Sequence, residues 1–222
     1  MEMRAGFHKR LQEIQDEVLV MGNMVAKAIL LSIDALKDRD LAVAKKIIAN
    51  DAKINRKRFE IEEKCIQLIA TQQPMAGDLR IIICILSIVT EVERIGDYAA
   101  GIAKIVVMIG DEPPLKPLID IPRMVEKIVG MLHRSLDALV SRDADVARQV
   151  VAEDDEVDNL YNQVFGELLT YMIEDPKTIT RATRLIWVAH NLERSADRIT
   201  NICERVVFCV TGKMQEIGAS KY

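Results

Sequence analysis

Aromatic side chains are scarce in this chain. Four Phe, four Tyr and one Trp make up 4% of 222 residues, although half of the chain is hydrophobic. A core of Leu, Ile, Val, Ala and Met with so few rings belongs to packed helices rather than to sandwiches. Cysteine is sparse too. Cys65, Cys84, Cys203 and Cys209 form no C-x-x-C pair, and three of them fall in apolar runs of helical period. That leaves no zinc-ribbon spacing and predicts buried, reduced thiols. There are ten Gly and six Pro, and none of them builds a P-loop, a Gly-rich phosphate cradle or a nucleophile elbow. No complete catalytic set is present.

Two further absences narrow the class. The formal net charge is −4 and no Lys/Arg stripe stands out, so nothing favours a nucleic-acid partner. The longest apolar run, Ile81 to Val89, is interrupted by Ser87 and is too short to span a bilayer. Met1-Glu2-Met3-Arg4 leads into an amphipathic helix without a signal-peptide core. These features predict a soluble, cytoplasmic protein with no direct membrane insertion.

What is present is helical periodicity. Phe7, Leu11, Ile14, Val18, Met21, Val25, Ala28 and Ser32 alternate spacings of four and three, a heptad seam on a helix from about Phe7 to Leu36. Asp40 caps the next helix, about Leu41 to Ala70, whose seam is Ile47, Asp51, Ile54, Arg58, Ile61, Cys65, Leu68. Two of those positions are charged where Leu or Ile belongs. Pro74 and Gly77 make a turn, with Asp78 as the N-cap of a third helix to about Ile109. Its seam is Ile85, Val89, Val92, Gly96, Ala99, Ala103, Val106, and the small residues from Gly96 to Ala103 allow a neighbour to come close. Pro113, Pro114 and Pro117 then stop any helix.

Beyond the prolines the pattern starts again. Ala35-Leu36-Lys37-Asp38-Arg39-Asp40 reappears as Ala138-Leu139-Val140-Ser141-Arg142-Asp143, and Glu93-Arg94-x-x-Asp97 as Glu193-Arg194-x-x-Asp197. The second unit is three residues shorter at its second turn. Its helices are predicted at about Ile121 to Val140, Asp143 to Met172 and Lys177 to Val210. The fold class is therefore all-α, two tandem, internally duplicated three-helix bundles. The first bundle spans 1–110, a Pro-rich linker 111–118, the second bundle 119–212 and a tail 213–222.

The motifs Glu93/Asp97 and Glu193/Asp197 each place two carboxylates one turn apart on one helix face. When the second and third helices of each unit are paired as an antiparallel hairpin about Pro74, Asp51 falls level with Asp97 and Asn55 with Glu93. About the Asp175–Pro176 turn, Asp154 falls level with Asp197 and Asp158 with Glu193. The second level gathers four carboxylates, the first three and an amide. Such like charges need compensation. A metal ion could supply it: a hard cation such as magnesium, or iron, manganese or zinc. So could arginine, from Arg58, Arg80, Arg94, Arg181, Arg184, Arg194 and Arg198 on the same helices. His190, three before Glu193, is a weaker ligand candidate, its counterpart is Thr90, and Trp187 is expected to pack.

With Asp78-Leu79-Arg80, the two Glu-Arg-x-x-Asp segments and the spacings Asp51-x-x-Ile54-Asn55 and Asp154-x-x-Val157-Asp158, the chain resembles the PhoU family of phosphate-uptake and phosphate-signalling regulators. The resemblance covers nearly the whole chain. It implies two three-helix bundles with metal-binding Glu/Asp-x-x-x-Asp motifs, and a cytoplasmic, often dimeric adaptor rather than an enzyme. It implies membrane association through partners: the ATPase subunit of the phosphate-specific ABC transporter, which it restrains, and a membrane sensor histidine kinase. The implied ligands are Asp154, Asp158, Glu193 and Asp197 in the second bundle and Asp51, Glu93 and Asp97 in the first. Asn55 departs from the acidic pattern and offers only an amide oxygen. Two other readings compete. A di-metal carboxylate enzyme of the ferritin-like kind would use Glu-x-x-His, whereas the order here is His190-x-x-Glu193. The other is a structural helical bundle without metal.

Overall fold

A computed structural model describes residues 2–217, with the side chains of 2–5 left out of account; the end of the tail, 218–222, lies outside the described residues. The first repeat consists of α1 (Glu2–Asp38), α2 (Leu41–Gln72) and α3 (Gly77–Ile109). The second consists of α4 (Asp120–Ser141), α5 (Ala144–Ala152), α6 (Asp154–Glu174) and α7 (Ile179–Thr211), with a 3-10 turn at Pro176–Thr178. The seams read from the sequence point inward: Phe7, Leu11, Ile14, Val18, Met21 and Val25 of α1 are all buried. A window within Gly6–Asp38 is long and apolar enough to span a membrane by composition, and half of it is buried in the protein.

Caps follow from side-chain chemistry. The Asp40 carboxylate accepts from Val43 N at 2.9 Å, and Asp143 accepts from Asp145 N and Val146 N at 2.9 and 3.0 Å. Asp78 is not an N-cap. Helix α3 begins at Gly77 after Ala76 in a positive-φ conformation, and Asp78 occupies the first turn, where the helix dipole favours an acid.

The fifth predicted helix is broken at Glu153. The Glu153 N–H bonds Val150 O at 3.1 Å, a tighter turn than the α-helical one, and α6 restarts at Asp154. The Glu153 carboxylate is drawn across to α4, 2.5 Å from Arg134 Nη2 and 3.2 Å from Lys127 Nζ.

The helices form two layers. In front, α2 packs on α3, α3 on α7 and α7 on α6; behind, α1 packs on α4 and each backs its own repeat. The prolines do not separate two bodies, because one apolar core runs through both repeats. The junction is the α3–α7 contact, where the helices are antiparallel. The reason is a second apolar stripe on each, beside the seam: Ile81, Ile88, Ile95 and Ile102 on α3, Val188, Ser195, Ile202 and Cys209 on α7, all buried. Gly101 makes the approach close, since a Cβ there would stand 3.0 Å from Asn191 Oδ1. The linker is pinned to the second repeat. Lys116 is buried and ion-paired with Glu167 of α6, and Arg181 Nη1 donates to Pro113 O at 3.3 Å. The four cysteines are free and buried.

A shared core predicts shared unfolding. Ile95→Ala, at the centre of the second stripe, should remove about 2–5 kcal/mol of stability. It should leave a single urea transition by circular dichroism; two separated transitions would contradict one cooperative unit.

Candidate functional site

The α2–α3 and α6–α7 hairpins bring the acids of each level into mutual electrostatic reach. In the second repeat, Asp154 feels Asp158, Asp197 and Glu193, and Glu193 feels Asp197 and Asp158. In the first, Asp51 feels Asp97, and Glu93 feels Asp97 and Asp51. The levels differ in depth. Glu193 is only 7% exposed, whereas Glu93 is half-buried, and Asp197 is half-buried where Asp97 is exposed.

Depth and repulsion set the proton affinities. Burial, reinforced by the neighbouring carboxylates, pushes Asp154 and Glu193 up to about 7. The same causes raise Asp158, Asp51 and Glu93, each with burial as the larger one. Four buried oxygens in the two levels accept no hydrogen bond: Asp51 Oδ1, Asn55 Oδ1, Asp154 Oδ1 and Glu193 Oε2. Buried polar atoms of this kind are normally partnered, because leaving them bare forfeits their hydration.

Buried oxygens that accept no hydrogen bond, on carboxylates and an amide, are the donor chemistry that hard divalent cations take. The donor types suit a metal ion. They are not drawn into a closed cage: among the described residues no three Asp, Glu, His or Cys donors converge on one point.

The arginines divide their work. Arg58 Nη1 lies 3.3 Å from Glu93 Oε1, and Arg194 Nη1 donates to Asp197 Oδ2 at 2.7 Å. Arg198 and Asn201 reach across the repeat junction to Glu91 Oε2, at 3.4 and 3.3 Å. Arg184 meets Glu112 of the linker at 3.5 Å, and Arg80 lies over the Phe208 ring. His190 is exposed, with Nδ1 3.3 Å from Glu193 Oε2, while Thr90 bonds Leu86 O within its own helix. Trp187 does not pack in the core. It is 51% exposed, because it falls between the seam positions Leu185 and Ala189. The cross-repeat contacts of Glu91 and the placing of Tyr161 near Glu193 go beyond the level-matching of the sequence. The second apolar stripe, spaced by sevens, was the available signal for the first of these.

The PhoU domain family model matches residues 18–106 and 121–206, one match to each repeat. A phosphate-specific transport system accessory protein PhoU homolog of Clostridium acetobutylicum is 41% identical over 212 residues, covering 95% of this chain and 97% of that protein. A homolog of the same description from Pseudomonas aeruginosa is 34% identical over 219 residues, covering 97% and 90%. The crystal structure of PhoU from Pseudomonas aeruginosa matches with a TM-score of 0.87 at 34% identity, covering 93% of this chain and all of that one. That of the phosphate transport system regulatory protein PhoU from Streptococcus pneumoniae also gives 0.87, at 31% identity, covering 94% and 99%.

The raised carboxyls make stability depend on pH in a defined direction. Asp154 and Glu193 move from 3.8 and 4.5 to about 7 on folding, so the folded state binds more protons than the unfolded one in between. Their contribution is most favourable below the unfolded values and is lost as pH rises through about 7. The metal-free protein should show a higher urea midpoint at about pH 5 than at about pH 8. Asp154→Asn with Glu193→Gln should flatten that difference, and an unchanged pH profile in the double variant would contradict the assignment.

Proposed function

The chain belongs to the PhoU family, and from that premise we propose that it is a phosphate-signalling adaptor rather than an enzyme. It acts as an accessory protein of the phosphate-specific transport system, in keeping with the names its relatives carry. In this reading it works in the cytoplasm as a homodimer and lowers phosphate uptake by contacting the ATPase subunit of the ABC transporter. It also helps a membrane sensor histidine kinase report phosphate sufficiency, and it approaches the membrane only through these partners. The observation that carries the accessory role is the family match over both repeats, at an identity sustained along 95% of the chain.

The two acidic levels have a role in the same reading: each holds divalent metal, iron, zinc, manganese or magnesium, through Asp154, Asp158, Glu193 and Asp197 or through Asp51, Asn55, Glu93 and Asp97. The bare oxygens at both levels support it. An ion there would neutralise carboxylates that otherwise repel one another and would fix the separation of the two helices of each hairpin. The His190-x-x-Glu193 order runs opposite to the Glu-x-x-His of ferritin-like di-metal enzymes, which favours a structural or regulatory ion over oxygen chemistry.

Co-purification tests the adaptor role. Tagged protein should bring down the transporter ATPase from cells grown in phosphate excess, and deleting the gene should raise phosphate uptake. Unchanged uptake would contradict negative regulation. Elemental analysis tests the metal. Glu193→Ala with Asp197→Ala should remove the metal retained by the second repeat, and lost stability with unchanged metal content would refute those ligands.

A further inference from the structure

Internal duplication supplies a comparison within one molecule. The two acidic levels occupy equivalent grooves, so whatever differs between them is a difference in chemistry. Asp51 corresponds to Asp154, Asn55 to Asp158, Arg58 to Tyr161 and Glu62 to Phe165.

Arg58 faces the first level. Its Nη1 is 3.3 Å from Glu93 Oε1, and its Nε is 3.2 Å from Glu62 Oε1, one turn further along the same helix. The guanidinium carbon also lies 4.7 Å from the centre of the Phe59 ring, so the group is held on three sides. In the second repeat a phenol takes its place. The Tyr161 ring lies 6.2 Å from that of His190, one turn before Glu193 on α7, which sets it on the Glu193 side of its groove as Arg58 is on the Glu93 side of the other. The residue that would anchor a guanidinium there is Phe165, its ring 6.3 Å from that of Tyr161. Arg194 pairs with Asp197 at the outer edge and His190 Nδ1 lies 3.3 Å from Glu193 Oε2; among the described residues no Arg or Lys forms an ion pair with Asp154 or Asp158.

We infer that Arg58 is a tethered counter-ion that competes with divalent metal at the first level, whereas the second, faced by the neutral Tyr161, is left for a free ion. This rests on the metal reading above. The first level carries three carboxylates with Arg58 on Glu93; the second carries four, with Arg194 on Asp197 and a phenol where the first has Arg58. A divalent ion entering the first groove must displace Arg58 from Glu93 or bind beside a positive charge. In the second it meets a neutral phenol at that place and one more carboxylate, in the more buried of the two sets. The levels should therefore fill in order, second before first. Asn55 lowers the charge of the first level, and Arg58 actively opposes the ion.

The test is a reciprocal exchange. Mn2+ binding is measured by equilibrium dialysis with elemental analysis at low ionic strength, with the thermal midpoint followed in parallel. The wild-type chain should show a tight and a weak class, the tight one removed by Glu193→Ala with Asp197→Ala. Arg58→Tyr should strengthen the weak class by about tenfold, the size expected for removing a unit charge next to a divalent ion in a half-solvated groove. Arg58→Gln, which loses the charge but keeps most of the side chain, should do the same. Tyr161→Arg should weaken the tight class by a similar factor. A weak class unchanged in both Arg58 variants, with both folded by circular dichroism, would overturn the inference, as would equal affinity of the two classes in wild type. Failure of every folded variant to bind Mn2+ would overturn the metal reading itself, and this inference with it.

Discussion

Everything in this molecule is referred to the antiparallel packing of α3 on α7. Each of these helices has two buried stripes, one for its own repeat and one for the other, and this double burial fuses two bundles into one core. The contact also sets where the acids stand. Glu93 and Asp97 lie on α3 and Glu193 and Asp197 on α7, each facing outward to the flanking α2 or α6. With neighbouring helices about 8–10 Å apart, the two acidic grooves lie about 20 Å from each other in the front layer. Arg198 and Asn201 bridge the interval by meeting Glu91 across the junction.

The acidic levels oppose the packing that creates them. Bringing α6 to α7 buries Glu193 and Asp154 among like charges, and their raised proton affinity expresses that opposition. The apolar core shared by both repeats offsets it. The break at Glu153 helps. By pairing with Arg134 and Lys127 of α4, Glu153 leaves the acid cluster and puts Asp154 at a helix N-terminus, where the dipole partly favours its charge. The first repeat has no such break and carries a guanidinium instead.

Much of this was legible in the residues. The seam from Phe7 to Ser32, the stop at Pro113 to Pro117 and the matched positions of Asp51, Asp97, Asp154 and Asp197 follow from spacing, because helical period and hairpin pairing are local rules. What spacing left unread depends on neighbours that are distant in the chain. The Glu153 break has no Gly or Pro to mark it, and the two cations that hold Glu153 lie on α4. Trp187 has the composition of a core residue and the register of a surface one. The fusion of the bundles is written in the heptad Ile81, Ile88, Ile95, Ile102, a second stripe beside a seam that by itself satisfies a three-helix bundle. The partner of Arg58 needed three dimensions, since several acids on two helices could have answered it.

The pinned linker has one more consequence. Lys116 is buried against α6 and Pro113 is held by Arg181, so the segment that joins the repeats is itself part of the second repeat's surface. The joint therefore cannot serve as a hinge. Severing the chain there would expose the isoleucine stripe of α3 and the facing stripe of α7, and the two pieces would find in each other the surface each had lost. The duplication that produced two copies of a sequence has ended in a single folding unit.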